Sequence, residues 1–239
     1  MTRYIRRSLL LICVMGLSTN LLASCSDNQT KEIESTMKNF TEKELFQAIA
    51  ANDIATVKEI LANHTVNLEV KNSKGETPLM MATYKKYNAL ALYLIDQGAN
   101  VNAQDDRLNS PFLYAGAEGN ITIVRKSLAH GADFTVFNRY NGTALIPAAE
   151  KGHLEVVQLL VATPNFPIDH VNRLGWTALM EAIVLSDGGT VHVAIVKALI
   201  EGGVDVNIPD HEGKTPLYHA KSRKFTAIVR LLEAAGAKE

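Results

Sequence analysis

Cysteine and histidine are the residues here best able to do chemistry, and their placement argues against most of it. The chain has two cysteines, Cys13 and Cys25, and seven histidines: His64, His130, His153, His170, His192, His211 and His219. No two histidines stand at i, i+4 on one helix face, and no carboxylate joins them at metal-ligand spacing. His211 and His219 come nearest, eight residues apart on different elements. No nucleophile elbow, phosphate loop or carboxylate pair stands out, so the expected catalytic, cofactor and metal sites are none. What remains is chemistry of recognition, and its carriers have to be found from the elements that hold them.

The chain opens with Arg3, Arg6 and Arg7, followed by a mostly apolar stretch from Leu9 to Leu22 that Ser18, Thr19 and Asn20 interrupt. That stretch is too short to span a bilayer comfortably and reads as an export signal. Its ending, Leu22-Ala23-Ser24-Cys25, resembles the lipobox of bacterial lipoproteins. The resemblance implies cleavage after residue 24 and acylation (a palmitate-type diacyl anchor) at Cys25. Two or more chains together anchor stably, where one binds marginally. The other reading is an ordinary secretory signal with a chance cysteine, and Arg6-Arg7 faintly resembles a twin-arginine signal. Cys13 leaves with the signal and lipidation occupies Cys25, so disulfides within the chain, thiol catalysis and cysteine-held metals are excluded. Residues 25–40 are read as the lipidated cysteine and a polar tether, SDNQTKEIESTMKNF after it. As a flexible coil, about 15 residues span roughly 20 Å. Ser26 after the cysteine, rather than aspartate, resembles outer-membrane sorting. The expected location is therefore the periplasmic face of the outer membrane if the host is Gram-negative.

Loss of 1–24 removes three arginines and no acids, taking the formal net charge from −1 to −4. No basic run exists to neutralise phosphates, so nucleic acid is excluded as a partner class.

The elements come from a repeat. A hexad begins at Thr77, Ser110, Thr143, Thr177 and Thr215, reading TPLMMA, SPFLYA, TALIPA, TALMEA and TPLYHA. The steps are 33, 33, 34 and 38 residues. A fixed period of this size means a solenoid, in which each unit touches only its neighbours. Thr or Ser is placed to cap the first amides of an inner helix, and Pro suits its first turn. Leu79, Phe112, Leu145, Leu179 and Leu217 are predicted core. The alanines closing each hexad let inner helices approach. Outer helices show apolar residues at helical spacing, as in Leu90, Leu94 and Ile95.

Gly142 to Leu160 (GTALIPAAEKGHLEVVQLL), with the run Gly98-Ala99-Asn100-Val101-Asn102, resembles an ankyrin repeat. The resemblance covers residues 41–239 and implies an all-α solenoid of stacked helix-turn-helix units with hairpin tips. About six units are expected, counting degenerate caps: 41–71, 72–104, 105–137, 138–171, 172–209 and 210–239. Lys86 and Lys224 stand where Gly119 and Gly152 end an inner helix in a left-handed residue. The family's usual histidine after the hexad leucine is replaced by Met80, Leu113, Ile146, Met180 and Tyr218, which puts polar links between repeats in doubt. Two units are longer, by one residue at Thr163 to Pro167 and by five at Ser186 to Thr190. The second insertion is either a functional loop or a neutral one.

In ankyrin proteins the partner usually lies in the groove between hairpin tips and inner helices. Carried onto this chain, the groove residues are Tyr84, Arg107, Tyr114, Arg139, Tyr140, Arg173, Trp176 and His211, flanked by Leu174, Lys214, Glu118, Glu150 and Glu181. Tyr, Trp and Arg dominate interface energetics. The alternative is a set of solvated turn residues, with Trp176 packing on the next finger. The function expected is a membrane-anchored, non-catalytic protein-protein interaction module of the bacterial envelope, monomeric, with an unidentified protein partner and membrane contact through the lipid alone. An immunity-type inhibitor of a periplasmic toxin and a helper of an envelope enzyme are the alternatives.

Overall fold

The computed structural model describes residues 41–239. The expected signal, Cys25 and the expected tether lie outside these residues. Every regular element described is a helix: α1 over 41–50, α2 (Ile54–Asn63), α3 (Pro78–Tyr84), α4 (Asn88–Asp96), α5 (Pro111–Ala117), α6 (Ile121–Ala129), α7 (Leu145–Glu150), α8 (Leu154–Val161), α9 (Ala178–Val184), α10 (Thr190–Glu201), α11 (Pro216–Ser222) and α12 (Thr226–Ala234). The short helices α3, α5, α7, α9 and α11 stack on one another as an inner layer, and α4, α6, α8, α10 and α12 form the outer layer.

The hexads make the inner helices. Thr77, Ser110, Thr177 and Thr215 each accept a hydrogen bond from the amide three residues on, closing one orphan donor of the first turn. Thr143 departs from this. Its hydroxyl is buried without a partner, and α7 begins only at Leu145. The cause is Pro147. In the other hexads the fifth residue donates its amide to the carbonyl of the first, as Met81 does to Thr77 at 2.9 Å. Proline has no amide to give, and its ring clashes with the carbonyl four residues back. The expected cap is therefore lost in this unit.

Leu79, Phe112, Leu145, Leu179 and Leu217 are all buried, as are the five hexad-closing alanines. The inner helices approach so closely that a Cβ added at Gly116 would sit 2.7 Å from the Ala144 Cβ. The residues in the usual histidine place are buried too, except Tyr218, which is exposed at the end of the stack.

Polar links between repeats exist all the same, on the loops rather than in the hexads. Glu69 accepts the Asn100 amide, Asn102 the Asp133 amide, Asp169 the Asp205 amide and Asn207 the Lys238 amide, at 2.7–2.9 Å. One rung is missing. The donor place between Asp133 and Asp205 falls to Pro167, and the acceptor place to Thr135, whose hydroxyl bonds its own unit's Asp133. Aromatic contacts take over at that junction. Phe166 is buried 4.9 Å from Phe134, and the Phe137 and His170 rings stack at 4.3 Å.

The Ser186 to Thr190 insertion is folded against the following unit. Arg223 donates to the Ser186 carbonyl at 2.7 Å, and the Phe225 ring lies on Gly188, where a Cβ would meet it at 2.4 Å. The inserted residues also lengthen α10 to 12 residues, against 8 and 9 in α8 and α12.

Candidate interaction groove

Each finger is built by the residue five places before its hexad. Asn72, Asp105, Asn138, Asn172 and Asp210 each use Oδ1 to accept the amides two and four residues on, at 2.9–3.1 Å. This is the local turn chemistry of Asx side chains. The fourth residue of each finger is left-handed: Gly75, Gly175 and Gly213 where glycine makes that free, Leu108 and Asn141 where it does not. In three consecutive units an apolar side chain stands on the finger, Leu108 at the fourth place and Tyr140 and Leu174 at the third, 46–50% exposed.

The eight predicted residues fall into three places. Tyr84, Tyr114 and Arg107 form the first. The Tyr84 hydroxyl donates to Asp105 and accepts from Asn109, its ring meets Tyr114 edge-on at 4.5 Å, and Arg107 lies 6.0 Å from its centre. Burial first, then the bond to Asp105, pushes the Tyr84 phenol well above its ordinary range. Arg139, Tyr140 and Arg173 form the second place. The Arg139 guanidinium lies 4.7 Å from the Tyr140 ring centre, and the Arg173 amide donates to the Tyr140 carbonyl at 2.8 Å. Trp176, on the same finger as Arg173, and His211, on the last finger, make up the third. Trp176 is half-buried and its backbone closes its own finger. The His211 ring covers Gly175, while His219 bonds Asp210 at 2.8 Å, so the two histidines serve different partners.

Beneath the second place runs a groove of about 480 Å³ across three units, and of the eight only Tyr114, Arg139 and Tyr140 line it. Its other walls are residues that reasoning on type alone passed over: Leu185, half-exposed after α9, with Ile146 and Pro147 of α7. Leu174 closes the finger side. The row at the fifth hexad position, Met81, Tyr114, Pro147, Glu181 and His219, gives the groove Tyr114, Pro147 and Glu181, and the ends of the inner helices add Glu118, Glu150 and Lys151. Glu181 is 5% exposed and accepts from Asn172 Nδ2 at 2.7 Å. Burial, then the nearby charge of Glu150, raises its carboxyl to about 7 against the Asn172 bond that lowers it. Glu118 differs. Lys151 at 2.9 Å and Lys86 at 3.4 Å neutralise it, and the Lys151 hydrogen bond leads in holding it below the usual carboxylate range.

Comparison with known proteins decides what this architecture is. The family described as ankyrin repeats (3 copies) matches residues 15–105, 112–210 and 165–238. The chain belongs to the ankyrin-repeat family. The ankyrin repeat protein YahD of Escherichia coli is 40% identical over 190 residues, covering 80% of this chain and 94% of that protein. An ankyrin repeat domain of Acinetobacter baumannii, solved by crystallography, superposes with a TM-score of 0.79 at 47% identity, covering 82% of this chain and 100% of that one. A complex of a predatory endopeptidase of Bdellovibrio bacteriovorus with an immunity protein superposes at TM-score 0.66 and 21% identity over 80% of this chain and 96% of that one. At that identity the likeness carries the fold. Ankyrin repeats are protein-protein interaction modules, and the exposed row Leu108, Tyr140 and Leu174 stands where such a repeat offers its fingers.

Proposed function

We propose that this protein is an envelope-tethered recognition module, non-catalytic, that binds a protein partner along the groove and fingers of units 3 to 5. The observation that carries it is the apolar finger row over an open groove: Tyr140 and Leu174 are about half exposed, on a chain that buries Leu79, Phe112, Leu145, Leu179 and Leu217 of its hexads. Contiguous apolar surface of this kind marks interaction sites. The tether rests on Leu22-Ala23-Ser24-Cys25, which would place a lipid at Cys25 and the module on the periplasmic face of the outer membrane in a Gram-negative host.

A photo-crosslinking residue at position 140, in cells, should yield one discrete adduct. The same residue at Arg125, exposed on outer helix α6, should not. Identical products from both positions would remove the groove from the proposal. Mass spectrometry of the membrane fraction should show an acylated Cys25; an intact Met1, or cleavage elsewhere, removes the anchor and leaves the groove standing. The endopeptidase–immunity complex favours a second reading, in which the partner is a toxin that this chain inhibits. A toxin gene beside this one, and loss of that toxin's activity on adding the chain, would select it.

A further inference from the structure

Glu181 is unusual among the buried groups of this molecule. It is 5% exposed, yet only Asn172 bonds it, through Oε1; among the described residues nothing bonds Oε2, and the side chain lines the groove. The charge that acts on it is that of Glu150, of the same sign. The cations that line the groove are engaged elsewhere, Lys151 on Glu118 and Arg139 over the Tyr140 ring. A carboxylate taken from water without a counter-charge is costly. Around it stand exposed apolar side chains, Tyr140, Leu174 and Leu185, each 47–50% exposed. Apolar walls above an uncompensated carboxylate match one kind of side chain, a long aliphatic stem with a positive head.

We propose that the groove contains a socket for a lysine or arginine of the partner protein, the stem lying along Tyr140, Leu174 and Leu185 and the cationic head meeting Glu181, with Glu150 adding attraction. The assignment rests on the reading of the groove as the partner face. It adds a specificity to that reading: a groove of aromatic and apolar fingers alone would accept any exposed apolar segment, whereas the buried acid demands a base. Arginine would satisfy Oε2 directly and offer further donors to the Glu150 carboxylate.

The test uses the full chain and a displayed library of random 12-residue peptides. Binders whose retention is lost with Leu174→Asp are groove binders, and these should share a lysine or arginine. Replacing that residue by norleucine or citrulline should weaken binding at least about tenfold, and Glu181→Gln should weaken the parent peptide by a similar factor. With both changes together the loss should be no greater than with either alone. Groove binders without a basic residue, or held equally by Glu181→Gln, overturn the socket and leave the groove. A library yielding no binder sensitive to Leu174→Asp overturns the groove and the socket with it. Glu181→Gln is close to isosteric, and unchanged circular dichroism of that variant separates lost recognition from lost fold.

Discussion

Glu181 also has a consequence for stability. Its carboxyl is raised from 4.5 to about 7 in the folded chain, burial being the first cause. Between those values the folded form holds a proton that the unfolded form has released, so stability falls as pH rises through that window and levels off above it. At about 1.4 kcal/mol per unit the effect is of the order of 3 kcal/mol at pH 8. Glu181→Gln should therefore melt higher than wild type at pH 8 and alike at pH 4.5; equal melting at both would show that the carboxylate is solvated. Core positions behave ordinarily. Leu145 and Leu179, both buried, should each cost about 2–5 kcal/mol when cut to alanine, measured by denaturant unfolding. The site was less legible than the core. Residue type singled out Arg139, Tyr140, Arg173 and Trp176 as anchors. Finger geometry decides presentation, and it puts Leu174 and Leu185 beside Tyr140 in the groove while Trp176 and Arg173 stay off its walls. Glu181 had a signal in sequence: an acid in the inner-helix row that elsewhere holds Met, Tyr, Pro and His. Only the structure shows that it is buried without a counter-charge.

At the scale of the helix, the period and the hexads revealed nearly all of the fold, because each hexad carries its own cap, core residue and small contact residue. The exception, α7, was legible in principle, since Pro147 sits in the place whose amide bonds the first hexad residue's carbonyl in the other units. Paired substitutions should expose the difference. Thr77→Val removes a working cap and should destabilise by about 1 kcal/mol. Thr143→Val removes a buried hydroxyl that bonds nothing and should stabilise by about 1 kcal/mol. Equal losses at the two sites, read from chemical denaturation, would mean that Thr143 caps after all. The loop ladder was hidden for another reason. Its acceptors are Glu, Asn and Asp by turns, and its donors are backbone amides, so no single residue type repeats.

In the whole molecule, units share contacts only with neighbours, so damage should stay local. Gly188 is left-handed at φ 69° and carries the Phe225 ring. Gly188→Ala should loosen the last unit, with faster hydrogen exchange over 216–239 and unchanged exchange over 111–161; a uniform change would show that the stack melts as one. The missing rung at Pro167 has a mechanical meaning. Loop hydrogen bonds resist sliding of one unit past the next, because a short shift breaks them, whereas ring faces slip with little loss. At the finger tips Asp106 donates to the Lys74 carbonyl and Arg173 to the Tyr140 carbonyl, whereas no such backbone bond joins the Asp105–Asn109 finger to the Asn138–Gly142 finger or the Asn172–Trp176 finger to the Asp210–Lys214 finger; both of those joints keep their loop rung, and among the described residues only the joint at Pro167 lacks one. Bending of the spine under load should concentrate at that joint, between two stiffer blocks. The groove straddles the joint, so its width is the dimension of the molecule that yields most readily to whatever enters it.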